Sequence, residues 1–126
     1  MKEILDRHGA LLIADEVQTG FGRTGRFFAM EHFGIVPDIM TVAKALGNGY
    51  PIGAVITRTD IAAKSPRPGA STLGGSPFTA SVALAVVETH RREKPAERAA
   101  RLGALLKDRL LELSDRYPLL GDVRGR

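Results

Sequence analysis

Two sets of residues in the stretch LLIADEVQTGFGRTG, positions 11–25, could do chemistry, and they imply different reactions. Gly20, Gly22 and Gly25 spell G-x-G-x-x-G, the spacing that cradles a dinucleotide pyrophosphate. Asp15 instead offers a carboxylate at the end of an apolar run. A dinucleotide turn needs its first glycine directly after the strand and its third inside the opening helix. Here DEVQT intervenes before Gly20, and Arg26 follows Gly25 before any helical pattern begins. Asp38 stands ahead of its strand instead of after it. The glycines therefore read as loop residues that permit positive φ, which leaves Asp15 as the chemical lead. Glu16 does not make a carboxylate pair with it, because adjacent strand residues face opposite ways.

Lys44 supplies a second group. It follows the apolar segment DIMTVA and is flanked by Val42, Ala43, Ala45 and Leu46. Apolar surroundings disfavour the ammonium form, and a neutral amine is a nucleophile. An amine that captures an aldehyde and an acid that keeps a ring nitrogen protonated are what pyridoxal phosphate demands of a protein. Lys44 is the expected amine and Asp15 the expected acid.

The elements that must position these groups alternate along the chain. KEILDRHG reads as the last turns of a helix stopped by Gly9, and ALLIAD as a strand buried on both faces. A long glycine loop over 18–26 precedes a short helix, FFAMEHFG, closed by Gly34. DIMTVA and GAVIT (53–57) are further strands, with a helical turn at TDIAAK. SPRPGASTLGG, residues 65–75, is too rich in Gly, Pro and Ser for regular structure and reads as a functional or interfacial loop. Ser76 before Pro77 marks a capped helix start, with Phe78, Val82, Ala85 and Val86 as its apolar face to about Arg92. A second helix opens near Pro95, with a stripe of Ala99, Leu102, Leu106, Leu110 and Leu113 and a Glu97–Arg101 pair. This alternation predicts α/β with a mostly parallel sheet flanked by helices, whose ligands sit at the carboxyl ends of strands. Asp15 and Lys44 both fall at such ends.

Composition narrows the alternatives. In 126 residues, 44% hydrophobic and 25% charged is the globular range, which argues against disorder and low complexity. Without cysteine there is no disulfide, thiolate metal site or thiol catalysis. His8, His32 and His90 stand too far apart for a local metal site, so none is expected. The net charge of +4 is concentrated in residues 91–109, where Glu93, Glu97 and Asp108 interleave and no aromatic offers a stacking surface. That is a solvated helix face, and no nucleic-acid partner is expected. No segment is apolar enough for a membrane span or a secretory signal, so a cytoplasmic location is the expectation.

The chain resembles the class III pyridoxal-phosphate aminotransferases that act on ornithine, acetylornithine, 4-aminobutyrate, or alanine with glyoxylate. The resemblance rests on LLIADEVQTGFGRTGRFFAMEHFGIVPDIMTVAKALGNGYPIGAVITR, GASTLGGSPFTASVALAVVE and LLGDVRGR, and covers nearly the whole chain. It implies part of the large domain of a fold-type I transferase over residues 1–93. Residues 94–126 would open the small C-terminal domain. It also makes Asp15 the ring-nitrogen partner and Lys44 the Schiff-base lysine. Val17 would pack on the ring, Gln18 would bond the phenolic oxygen, and Thr72 with Ser71 would reach the cofactor phosphate of a neighbouring subunit. The implied partners are amino-acid and keto-acid substrates and a second copy of the chain, in a homodimer with the active site at the interface. The phosphate loop and the arginine that grips the substrate carboxylate would lie outside the chain, which reads as a middle slice of the enzyme. Racemases, aminomutases and a decarboxylase share the fold and the lysine, and a catalytically inactive fragment is the remaining alternative.

Overall fold

The computed structural model describes residues 1–65, 69 and 71–126. Helix α1 (Lys2–Arg7) ends as its sequence requires, with Gly9 in the left-handed region at φ +63°. Three strands follow in spatial order: β1 (Ile13–Asp15), β2 (Ile39–Val42) and β3 (Ala54–Thr57). β1 runs parallel to β2, setting Asp15 opposite Thr41. β3 is antiparallel to β2, setting Thr57 opposite Ile39. The expectation of a mostly parallel sheet therefore holds for one of the two strand pairs.

ALLIAD is not covered on both faces. Ala14 and Glu16 turn inward, while Leu11 and Ile13 are 51% and 59% exposed. A continuous apolar run signals two faces that can be covered, and this chain covers one. The opposite orientation of Asp15 and Glu16 is as expected: Asp15 is exposed and Glu16 is 2% exposed. The buried Glu16 carboxylate accepts from Met30 N at 2.8 Å and from Thr19 Oγ1, and so holds the loop after β1 against the short 3-10 helix Ala29–Phe33. Gly34 closes that helix at φ +63°.

The core lies where the glycine loop meets β2. Phe21, Val42 and Leu46 are buried, and Phe27, Phe28, Met40, Ile52 and Val87 pack against them. Phe21 meets Phe27 and Phe28 edge-on, with ring centroids 5.2 and 5.7 Å apart; such pairs contribute about 0.5–1.5 kcal/mol each beyond area burial.

Beyond β3 come α2 (Thr59–Ala62), α3 (Pro77–Glu93) and α4 (Pro95–Ser114). Residues 66–68 and 70 of the 65–75 loop lie outside the described residues. α3 starts at Ser76-Pro77 as expected, but the Ser76 hydroxyl makes no capping bond. Its carbonyl is used instead, accepting from Thr79 Oγ1 at 2.9 Å and Ala80 N at 3.0 Å. Glu97 does not pair with Arg101; it lies 3.4 Å from Lys94 Nζ, one turn back. Lys94 itself takes φ +48°, ψ +51°, and this left-handed residue breaks α3 from α4.

Much apolar surface is left uncovered. The chain exposes 9727 Å², whereas a compact monomer of 13.5 kDa exposes roughly 6,500 Å². Neither α3 nor α4 has a buried residue: Phe78 is 61% exposed, and Leu102 and Leu106 of the α4 stripe are 52% and 61% exposed.

Candidate active site

β1 and β2 run parallel, so their carboxyl ends lie side by side and carry the candidate groups together. Asp15 is the last residue of β1, and Lys44 follows β2 by two residues at the start of the 3-10 turn Lys44–Leu46. Lys44 adopts φ +45°, a region that costs a side-chain-bearing residue about 1–2 kcal/mol. Strain of this kind persists where the surroundings hold it, and here they do: Val42 and Leu46 on either side are buried.

Gln18 and Lys44, 26 residues apart, meet directly. Lys44 Nζ donates to Gln18 Oε1 at 2.9 Å. Both line a hollow of about 450 Å³ together with Val17, Arg23 and Ala45. A second hollow of about 640 Å³ also opens on Lys44 and Arg23, and is otherwise formed by Ala43, Ala45 and residues 48–52.

Asp15 lines neither hollow; it joins the site through its neighbours. Val17 N donates to Asp15 Oδ1 at 3.1 Å, and Thr41 Oγ1 donates to the same oxygen at 3.0 Å. The carboxylate is thereby oriented, and Oδ2 has no hydrogen-bond partner among the described residues. Thr41 was not singled out in the sequence. Its signal is positional, because it is the parallel-register partner of Asp15, and register requires knowing which strands pair.

Two expectations need correction or limits. The apolar neighbours of Lys44 do not desolvate it, since Lys44 is exposed. The neighbours' side chains fill the core while that of Lys44 points the other way, so flanking sequence does not report the amine's own environment. Ser71 and Thr72 are also exposed. Ser71 lines a further hollow with Leu73 and Thr79; Lys44 has no part in it, although Tyr50, Pro51 and Ile52 border both this hollow and the larger one on Lys44. Among the described residues, no three metal-ligating side chains cluster, and no helix is long and apolar enough to cross a membrane.

The residues present suit pyridoxal phosphate. An aldehyde needs an amine it can reach, and Lys44 is exposed with one neutral partner. A ring nitrogen needs a carboxylate with spare capacity, and Asp15 Oδ2 has it. The amine and the oriented carboxylate stand at the carboxyl ends of a parallel strand pair, where α/β folds place their ligands.

Comparison with known proteins agrees. Residues 1–126 match the family described as Aminotransferase class-III, and the chain belongs to that family. It is 50% identical over 127 residues to the leucine/methionine racemase of Thermococcus litoralis, a match covering 100% of this chain and 29% of that protein. It is 44% identical over 125 residues to alanine-glyoxylate aminotransferase 2 homolog 2 of Arabidopsis thaliana, covering 98% of this chain and 26% of that protein. The ornithine aminotransferase of Toxoplasma gondii, in a structure with PLP partially occupying its active site, superposes with a TM-score of 0.93 at 41% identity. That match covers 99% of this chain and 30% of the other. The chain thus spans under a third of the length of these proteins.

Proposed function

We propose that the chain is the lysine-bearing portion of a pyridoxal-phosphate-dependent aminotransferase, which moves an amino group from an amino acid or ω-amine to a keto acid. The observation that carries this reading is the Lys44 amine, held 2.9 Å from Gln18 Oε1 at the strand ends, in a chain that matches the family along its whole length. When bound, pyridoxal phosphate supplies an electrophilic carbon for the amino group and a ring that draws electrons from the substrate carbon.

In this proposal Lys44 Nζ would hold the cofactor and, as a free amine, would carry a proton to and from the substrate α-carbon. Asp15 Oδ2 would hold the proton at the ring nitrogen, while Thr41 and the Val17 amide keep that carboxylate aimed. Gln18 gives the amine a fixed neutral partner, and its amide group would serve the phenolic oxygen when the cofactor is in place. Val17, which lines the Lys44 hollow, would pack against the ring.

The exposure of Ser71 and Thr72, which line neither Lys44 hollow, supports a role across a homodimer interface toward the partner's cofactor phosphate. The roughly 3,000 Å² by which the chain exceeds a compact monomer supports further polypeptide and a second subunit packing on it. The left-handed break at Lys94 supports a boundary between a large cofactor domain, residues 1–93, and a small domain opening at 94. A cytoplasmic setting belongs to the same proposal.

Borohydride reduction of the full-length holoprotein, followed by digestion and peptide mapping, tests the reading: the cofactor mass should be fixed on Lys44. Labelling of another lysine, or undiminished labelling of Lys44→Ala, overturns it. One relative above is named a racemase, and a racemase returns the proton without passing on the amino group. Amine transfer that requires a keto-acid acceptor therefore separates the two activities.

A further inference from the structure

The glycine motif is not consumed by the cofactor reading, yet it is built with care. Gly20 N donates to the Glu16 carbonyl at 2.9 Å, and Gly22 N to the Phe27 carbonyl at 3.2 Å. Phe21 is buried in the core, and its carbonyl accepts from His90 Nε2 at 2.9 Å. Thr24 is pinned by His32 Nε2, 3.0 Å from its carbonyl and 3.1 Å from its hydroxyl. Gly22 and Gly25 take φ +90° and +85° and lie against α4. A methyl group built on Gly22 would come within 3.4 Å of Ala96, and one on Gly25 within 2.8 Å of Ala100 Cβ.

One side chain in this run is left over. Arg23 sits between pinned neighbours, is exposed, and makes no hydrogen bond or ion pair among the described residues. It lines both hollows that open on Lys44. In those linings Arg23 and Lys44 are the charged residues, both positive, and no carboxylate faces them. Lys44 is the group that reacts, so Arg23 is the charge that stays. Its guanidinium is always protonated and matches a carboxylate with two parallel N–H donors. Hollows of this size suit a small ligand.

We propose that Arg23 recognises a carboxylate of the amino donor or keto-acid acceptor, in addition to any grip supplied by residues outside this chain. The glycine loop is the mount that presents it beside the reacting amine. The inference rests on Lys44 being that amine, as proposed above.

The test uses the full-length holoprotein with Arg23→Gln and Arg23→Lys. Peptide mapping after borohydride first places the cofactor in each protein; fixation on a lysine other than Lys44 overturns the enzymatic reading and this inference with it. Titration calorimetry with glutarate, an unreactive dicarboxylate, then reads the site directly. Wild type should bind glutarate, Arg23→Gln should bind about tenfold or more weakly, as loss of a charge-assisted bond implies, and Arg23→Lys should fall between. With the donor established by product analysis, Arg23→Gln should raise KM by a similar factor and leave kcat within about twofold. With the cofactor on Lys44, the inference alone is overturned by glutarate that fails to bind wild type, by equal glutarate binding to Arg23→Gln, or by a fall in kcat at constant KM.

Discussion

The two ends of strand β2 carry the same kinds of charged residue and use them in opposite ways. At its amino end, Asp38 is 3% exposed and fully engaged. It accepts from Leu12 N at 2.8 Å and lies 3.1 Å from Lys2 Nζ and 2.7 Å from Arg58 Nη1. These donors, the Leu12 amide first, hold its carboxyl down at about pH 2, well below the usual carboxylate range. At the carboxyl end, Asp15 has one oxygen oriented and one free, Lys44 touches only a neutral amide, and Arg23 has no partner among the described residues. A cluster whose charges are paired with one another fastens α1 and the end of β3 to the sheet. Charges left with capacity to spare are what a ligand can use.

Substitutions at the two ends should therefore fail differently. Lys44→Ala in the full-length enzyme should lower turnover about a hundred- to ten-thousand-fold, the range for loss of a positioned proton-transfer group. Its unfolding midpoint without cofactor should stay near that of wild type, because the left-handed φ of +45° strains alanine as it strains lysine and position 44 is exposed. Parallel kinetics and denaturant titration of the apoprotein measure both. A large loss of apoprotein stability would make Lys44 structural and erase the contrast.

Asp38→Asn should do the reverse, lowering the unfolding midpoint at neutral pH while the cofactor still maps to Lys44. The pH dependence identifies the cause. A carboxyl held at about pH 2 in the folded chain and near 3.9 when unfolded stabilises the fold fully above the unfolded value. That contribution disappears as pH falls through about 2. The gap between wild type and Asp38→Asn should be constant above about pH 5 and narrow progressively below about 4. A gap that does not change between pH 5 and 2 would assign the loss to something other than the charge.

How far each end could be read from the sequence follows the range of its contacts. Asp15, Lys44 and the stops at Gly9 and Gly34 are legible because strand ends and helix ends are written in neighbouring residues. The Asp38 cluster is not: its donors lie 26, 36 and 20 positions away, and nothing local pairs them. Thr41 is hidden for the same reason, since its value depends on strand register. The environment of Lys44 misleads because apolar neighbours in sequence bury themselves and turn the lysine outward. The glycines disclose that a loop must turn, and say nothing of the helix 70 or more positions later that packs on it.

That packing gives a smaller, sharper test of the Lys44 end. Gly25→Ala forces a methyl group to 2.8 Å from Ala100 Cβ at φ +85°, so overpacking and backbone strain together should cost about 2–5 kcal/mol in denaturant titration. Gly34→Ala meets nothing within 4 Å at φ +63°, and should cost only the left-handed strain of about 1–2 kcal/mol. Only Gly25→Ala should also weaken glutarate binding, because only that loop carries Arg23. Equal effects on glutarate would mean that the loop does not present the arginine.

The smallest expected effect concerns the aim of Asp15. Thr41 Oγ1 and the Val17 amide converge on one carboxylate oxygen, at 3.0 and 3.1 Å. Thr41→Val keeps the shape of the side chain, removes one donor and leaves the other. A single net hydrogen bond is worth about 1 kcal/mol, so kcat/KM should fall about fivefold, and Thr41→Ser, which retains the hydroxyl, should stay within about twofold of wild type. The unfolding midpoint is the control. Thr41 is half-buried and pairs with Val55 in the sheet through its backbone, which neither substitution alters. If Thr41→Ser falls as far as Thr41→Val, the hydroxyl does not orient the acid, and the carboxyl end of β2 holds Asp15 by its backbone alone.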